Sequence, residues 1–150
     1  MNQAAAADRP RREPVRHVVC RADEIAPGAA RRVEIEGREI AIFNVNGEFS
    51  AIGDRCPHEG ASLCRGQIMG LAQSDEPGRS RIIREGEFVR CPWHGWEFDL
   101  KTGRSWCDPA RTRVKSYDVA VTGSAELQEG PYRIDIYEVS QEGDYVVVSV

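Results

Sequence analysis

Two short segments of the 150-residue sequence carry side chains that could do chemistry. The first is Cys56-Pro57-His58 and the second is Cys91-Pro92-Trp93-His94. Each segment supplies one thiolate and one imidazole, and in each a proline directly follows the cysteine. These are the ligands that zinc, copper and iron–sulfur centres prefer. Two loops with one ligand of each kind therefore predict either a tetrahedral metal site or a small metal cluster.

The similar make-up of the two segments, spaced C-x-H and C-x-x-H, argues against chance. The chain has only three histidines, and two of them fall in Cys-Pro settings of this kind. The proline stiffens each loop and removes a backbone donor. The glycine that follows each histidine, Gly60 or Gly95, lets the backbone turn close to a bound group. We therefore interpret the four residues as ligands rather than as ordinary core residues.

The paired segments resemble the signature of Rieske [2Fe–2S] proteins, in which two cysteines hold one iron and two histidines hold the other. The resemblance implies one [2Fe–2S] cluster per chain, with Cys56 and Cys91 on the buried iron and His58 and His94 on the outer iron. It covers residues 17–121 and includes Ala61, Leu63 and Gly66 after the first segment, and Trp96 to Asp99 with Thr102 and Gly103 after the second.

The resemblance also implies residues that cover the cluster without binding it. These are Leu63, Trp93, Gly95, Trp96 and Pro109. Pro109 lies where the family places a third loop, which contains proline and lies over the cluster. We expect the tryptophans to pack and to shield the cluster rather than to stack on a substrate.

Three departures from the family's high-potential members place the chain with its soluble, low-potential group. Ala61 and Trp93 stand where those members have a pair of disulfide-bonded cysteines, and Trp96 stands where they have a serine. In addition, 32 residues separate His58 from Cys91, about twice the usual spacing. We expect an insertion near residues 72–84 to extend a hairpin, and a second one near residues 123–137 to add another.

The elements that must position these loops are predicted to be strands. Val33 to Glu36 alternates with period two, and Asn46-Gly47 between two β-rich runs is a strong hairpin signal. Further strands are expected near residues 80–90, 96–99, 114–121, 132–139 and 144–150, and no helix longer than two turns is expected. The predicted fold is all-β, an antiparallel sandwich or barrel with a cluster-binding subdomain formed by two ligand loops.

The expected domain organisation is simple, because a chain of this length forms one domain. Residues 1–14 read as a disordered tail, and residues 15–150 as a single Rieske domain with its cluster-binding part at about residues 54–110. The net charge of −4 argues against a nucleic-acid partner. No apolar run is long enough for a membrane span, and no secretory leader is evident. The expected location is the cytoplasm.

The remaining cysteines and charges have simpler interpretations. We expect Cys20, Cys64 and Cys107 to be small buried thiols, and His17 to be an ordinary histidine on the first strand. The alternating residues Arg111 to Lys115 could form a basic stripe that is merely solvated or that recognises an acidic partner.

Three functions are compatible with the sequence. The favoured one is an electron carrier, a ferredoxin that passes single electrons from a reductase to a terminal oxygenase and docks both near His58 and His94. An oxygenase is disfavoured, because a mononuclear iron site needs two more histidines and only His17 remains. The other two compatible functions are an electron-relay subunit of a larger oxygenase or reductase, and a structural Cys₂His₂ zinc module. The spacing of the ligands disfavours the zinc module.

Overall fold

A computed structural model describes residues 13–106, 108, 110–129 and 143–150. Within these residues the chain forms nine strands and one short α-helix. The strands are β1 (Arg16–Arg21), β2 (Ala30–Ile35), β3 (Arg38–Val45), β4 (Glu48–Gly53), β5 (Gln67–Glu76), β6 (Arg79–Arg90), β7 (Glu97–Asp99), β8 (Ser116–Gly123) and β9 (Asp144–Ser149), and the helix is α1 (Ser124–Glu129).

The strands form two sheets, and every pairing between them is antiparallel. Six strands make the larger sheet in the order β1-β9-β8-β4-β3-β2, and the smaller sheet has the order β5-β6-β7. The first ligand segment follows β4 in the larger sheet, and the second joins β6 to β7 in the smaller one. The predicted all-β antiparallel fold is confirmed, and each sheet contributes one ligand loop.

Two-residue turns set the register of the strands in the larger sheet. Asn46 and Gly47 have φ values of 52° and 89°, the left-handed conformation that a tight hairpin turn requires. Val45 consequently pairs with Glu48, as the sequence predicted. The side-chain oxygen of Asn44 accepts a hydrogen bond of 2.8 Å from the Gly47 N–H and closes the turn.

Strand β3 is buried on both of its faces. Ile40 and Ile42 point into a core with β1, β2 and β9, whereas Ala41 and Phe43 point into a second core. Successive side chains of a strand alternate between faces, so a run of apolar residues serves two layers. The second core also contains Cys56 and Cys91, so the ligand loops lie directly over it.

A tight turn follows β7. The Asp99 N–H donates to the Arg104 carbonyl (2.9 Å), and the Gly103 N–H donates to the Asp99 carbonyl (2.8 Å). One oxygen of the Asp99 carboxylate also accepts hydrogen bonds from the N–H groups of Lys101 (2.8 Å) and Thr102 (3.1 Å). The carboxylate therefore satisfies the backbone donors inside its own turn.

Gly103 is expected to tolerate no side chain. Its φ is +74°, and a Cβ atom would lie 2.0 Å from the Val114 carbonyl oxygen. Gly103→Ala should lower the free energy of unfolding by about 3 kcal/mol, because backbone strain adds to the clash. Gly37 has a φ of +77° but nothing within 4 Å, so Gly37→Ala should cost only about 1 kcal/mol. Urea unfolding of both variants checks this, and equal losses would contradict it.

The two predicted insertions have different outcomes. The extension near residues 72–84 is confirmed, because β5 and β6 pair as one long hairpin from Gln67–Arg90 to Glu76–Arg79. The prediction of a second hairpin near residues 123–137 is wrong for its first part, since residues 124–129 form α1. Ala125, Glu126 and Leu127 favour helix, and Leu127 is buried against β1 and β9. The rest of that hairpin and the strand expected at residues 132–139 lie outside the described residues.

The described part of the chain contains no helix with the length and apolar character that a membrane crossing would need. The predicted tail, residues 1–14, lies almost entirely outside the described residues.

Candidate metal centre

The first ligand loop, residues 56–61, is closed by two backbone hydrogen bonds. The Cys56 N–H donates to the Ala61 carbonyl, and the Gly60 N–H donates back to the Cys56 carbonyl, both at 2.8 Å. Gly60 has a φ of +84°, which glycine adopts without strain. This arrangement fixes the cysteine at the base of the loop and leaves His58 near its tip.

The second ligand loop, residues 91–96, repeats this backbone pattern in the other sheet. The Cys91 N–H donates to the Trp96 carbonyl (2.7 Å), and the Gly95 N–H donates to the Cys91 carbonyl (3.1 Å). Gly95 has a φ of +71°, and a Cβ there would lie 2.9 Å from Nε of Arg90. The likeness between the segments, first seen in their sequences, is thus a likeness of backbone structure.

The two cysteines meet beneath the loops. Cys56 is 1% exposed and Cys91 is 3% exposed. Burial raises the pKa of the Cys56 thiol, and the nearby Cys91 thiol raises it further. The backbone N–H groups of His58 and Glu59 hydrogen-bond to the Cys56 sulfur and act in the opposite direction, lowering its pKa. An apolar pocket with two adjacent sulfurs and aligned backbone donors suits thiolates that a metal keeps deprotonated.

The two histidines meet above the cysteines, at the surface. Their ring centroids lie 4.7 Å apart, and the rings are nearly perpendicular at 86°. Trp96 stacks on His58 at 4.8 Å with an angle of 14° between the planes. Nε2 of His94 lies 3.6 Å from a carboxylate oxygen of Glu59, a contact between the loops that orients the imidazole.

The four predicted ligands are therefore brought together, and they divide by depth into buried sulfurs and exposed imidazoles. A [2Fe–2S] cluster with one iron on two cysteines and the other on two histidines has the same asymmetry. The donor set fits such a group.

Asp54 holds the first ligand loop in place, although the sequence did not single it out. Its side chain is buried, and its carboxylate accepts hydrogen bonds from Ser62 Oγ (2.8 and 2.9 Å) and from the Cys64 N–H (2.8 Å). Arg32 Nε lies 3.3 Å from the same carboxylate, and the Asp54 carbonyl accepts from the Leu63 N–H (2.7 Å). These bonds tie the residues before the loop to those after it.

The residues expected to cover the cluster lie in different environments. Leu63 is completely buried in the core that contains both cysteines, and Trp96 packs against that core. Gly95 allows the second loop to turn, whereas Trp93 is 60% exposed, so shielding by Trp93 stays a prediction. Pro109 lies outside the described residues.

Among the described residues, two further cysteines and the third histidine lie outside the ligand set. Cys20 is buried in the larger sheet, and burial raises its pKa to about 11. Cys64 is half-buried beside the loop, and burial raises its pKa as well. His17 is buried on β1. Cys107 lies outside the described residues.

Comparisons with known proteins agree with this site. The profile of the Rieske [2Fe–2S] domain matches residues 15–118. A 3-phenylpropionate/cinnamic acid dioxygenase ferredoxin subunit from Photorhabdus laumondii is 36% identical over 103 residues, which cover 69% of this chain and 83% of that protein.

Two solved structures share the fold. One is a chain of the complex of reduced oxygenase and oxidized ferredoxin in carbazole 1,9a-dioxygenase, with a TM-score of 0.58, 24% identity, and coverage of 90% of this chain and 93% of that one. The other is a putative NADH-dependent nitrite reductase small subunit from Mycobacterium tuberculosis, with a TM-score of 0.59, 25% identity, and coverage of 91% and 96%.

The profile match spans more than half of the sequence and includes both ligand loops, which sets aside the zinc module. The chain belongs to the Rieske [2Fe–2S] domain family and is an electron-transfer protein that holds one [2Fe–2S] cluster.

Proposed function

We propose that this electron carrier is the ferredoxin of a dioxygenase system, which takes single electrons from a reductase and delivers them to an oxygenase in the cytoplasm. The observation that carries the proposal is the exposed pair of imidazoles above two buried sulfurs. A group held there is insulated on the protein side and open to a partner on the other. The dioxygenase ferredoxin subunit at 36% identity supports the choice of system.

The proposed ligands are Cys56 and Cys91 for the buried iron and His58 and His94 for the outer iron. When bound, the cluster supplies reversible uptake of one electron. The protein holds and shields the cluster. Both closed loops fix the donor atoms, and the apolar core below keeps water from the sulfurs. Trp96 holds the His58 ring by stacking. Partners are proposed to dock over the two imidazoles.

A second candidate is an electron-relay subunit of a reductase. The fold shared with the putative nitrite reductase small subunit, at 25% identity, is the observation that supports it. The two candidates differ in their partners, because a ferredoxin forms transient complexes, whereas a relay subunit remains bound to its reductase.

Spectroscopy and kinetics together test the proposal. We expect purified protein to be red-brown, to bleach with dithionite, and to show the electron paramagnetic resonance signal of a reduced Rieske cluster. A dioxygenase reductase with NADH should then reduce it catalytically, and size-exclusion chromatography should show no stable complex. Colourless protein with a full complement of zinc would overturn the cluster, while stable co-elution with a reductase would favour the relay subunit.

The cysteines outside the ligand set are expected to be dispensable for the cluster. Replacing Cys20, Cys64 and Cys107 together with alanine should leave iron, sulfide and the resonance signal unchanged. Stability should fall by about 1–3 kcal/mol for each buried position, because packing is lost. Iron and sulfide analysis checks this result. Loss of the cluster in the triple variant would show that the ligands had been assigned to the wrong cysteines.

A further inference from the structure

Many of the positively charged side chains in the described residues are ion-paired. Arg38 pairs with Glu36, Arg81 with Asp75, and Arg84 with both Glu87 and Asp99.

Three cations beside the first ligand loop lack such partners. Arg55, Arg113 and Lys115 are exposed and form no ion pair with any residue in the described ranges. We call these three residues the basic face. The segments 54–66 and 90–115 together contain eight Lys or Arg and five Asp or Glu, a net charge of +3 in a chain whose total is −4. These two segments, which contain both ligand loops, are therefore positive in a protein that is negative overall.

The basic face lies beside the first ligand loop. Arg55, Pro57, Arg113 and Lys115 line one groove of about 480 Å³. Pro57 directly precedes His58, so charges held in this groove lie next to the imidazole edge. The Arg55 side chain also lies against the loop at Gly60, where a Cβ would be 3.6 Å from its Nε.

Two carboxylates, Glu34 and Glu39, also line this groove. Glu39 is already ion-paired with Arg32 outside the groove. Glu34 alone is left to offset the three groove cations, so the groove remains positive and open to further carboxylates.

We propose that the basic face binds an acidic surface of the redox partner and directs that partner onto the imidazoles. This inference rests on the proposed function and adds the chemistry of the partner. Unpaired cations beside an exposed redox edge raise the rate of encounter with a negative surface, by 10- to 1,000-fold at low ionic strength in known cases. Charges at the rim of an interface act mainly on the association rate and on its salt dependence.

Small oxidants of opposite charge test the sign of this face without a known partner. Dithionite-reduced protein would be mixed with ferricyanide or with hexaamminecobalt(III) in a stopped-flow instrument, and each oxidant accepts one electron from the protein. Between 10 and 300 mM salt we expect the ferricyanide rate to fall at least about tenfold. The hexaamminecobalt rate should rise or stay constant.

Matched variants locate the effect. Arg113→Glu combined with Lys115→Glu should remove most of the salt dependence with ferricyanide. The control, Arg79→Glu with Arg81→Glu, makes the same charge change on the β5–β6 hairpin and should behave as wild type.

Binding of a polyanion gives a second readout that needs no electron transfer. Calorimetry with poly-L-glutamate should show binding to the protein and to the hairpin control, and at least about tenfold weaker binding to the Arg113/Lys115 double variant. Equal binding by all three proteins, or tighter binding of duplex DNA than of polyglutamate, would overturn the inference. Protein that fails to bleach with dithionite would instead refute the proposed function, while the calorimetry would still decide the charge of the face.

Discussion

Cys56→Ser and Cys91→Ser are each expected to yield colourless protein with less than about a tenth of the wild-type iron. Cys56 and Cys91 are 1% and 3% exposed beneath the loops, so solvent has little access to replace a lost thiolate there. A serine hydroxyl in the same position does not deprotonate near neutral pH and is a poor ligand for iron. Because metal binding is coupled to folding, the melting temperature should fall as well.

Iron analysis and visible absorption after anaerobic purification check this result. Cys64→Ser is the matched control, since Cys64 lies in the same segment, is half-buried and packs against the same core. It should retain both iron and colour. A Cys56 or Cys91 variant with full iron content would refute the proposed ligand set.

Asp54→Ala should lower the free energy of unfolding by about 2–6 kcal/mol. The substitution leaves the Ser62 hydroxyl and the Cys64 N–H without their acceptor, and each such loss costs about 1–3 kcal/mol. It also removes one of the two carboxylates paired with the half-exposed Arg32, which keeps its pair with Glu39. Because these bonds join both ends of the first ligand loop, we expect weaker retention of the cluster in addition to the loss of stability.

Chemical denaturation measures the stability, and the rate of bleaching by a chelator measures retention of the cluster. Asp54→Asn keeps one acceptor oxygen and should lose less than the alanine variant. Ser62→Ala removes a single donor and should cost only about 1 kcal/mol. If Asp54→Ala and Ser62→Ala proved equally stable, the carboxylate would not be the centre of this network.

The sequence predicted well those features that a short stretch of chain determines. The Asn46-Gly47 turn follows from the conformational preference of two residues, and the donors of each ligand loop lie within four positions of one another. Asp54 could not be recognised in this way. Its importance depends on burial and on partners up to 22 positions away, such as Arg32, and nothing in the local sequence reports those contacts.

Helix α1 shows the opposite difficulty. The sequence pattern predicts a hairpin near residues 123–137, and the structure has a helix at residues 124–129 instead. The intrinsic helix propensities of Ala125, Glu126 and Leu127 already favour a helix in the sequence. The burial of Leu127 against β1 and β9 became apparent only in the fold.

The turn after β7 has the same backbone as the two ligand loops. In it Asp99 stands at the position of the cysteine, and its carboxylate accepts from the N–H groups two and three residues later. In the first loop the Cys56 sulfur accepts from the corresponding groups of His58 and Glu59. A thiolate here occupies the place that a carboxylate occupies in an ordinary Asp turn, with the backbone donors already aligned. Replacing the aspartate of such a turn with cysteine would therefore place a thiolate on backbone donors that are already aligned. A single substitution of this kind is a short evolutionary route to a metal ligand, and it offers protein engineers a place to add one.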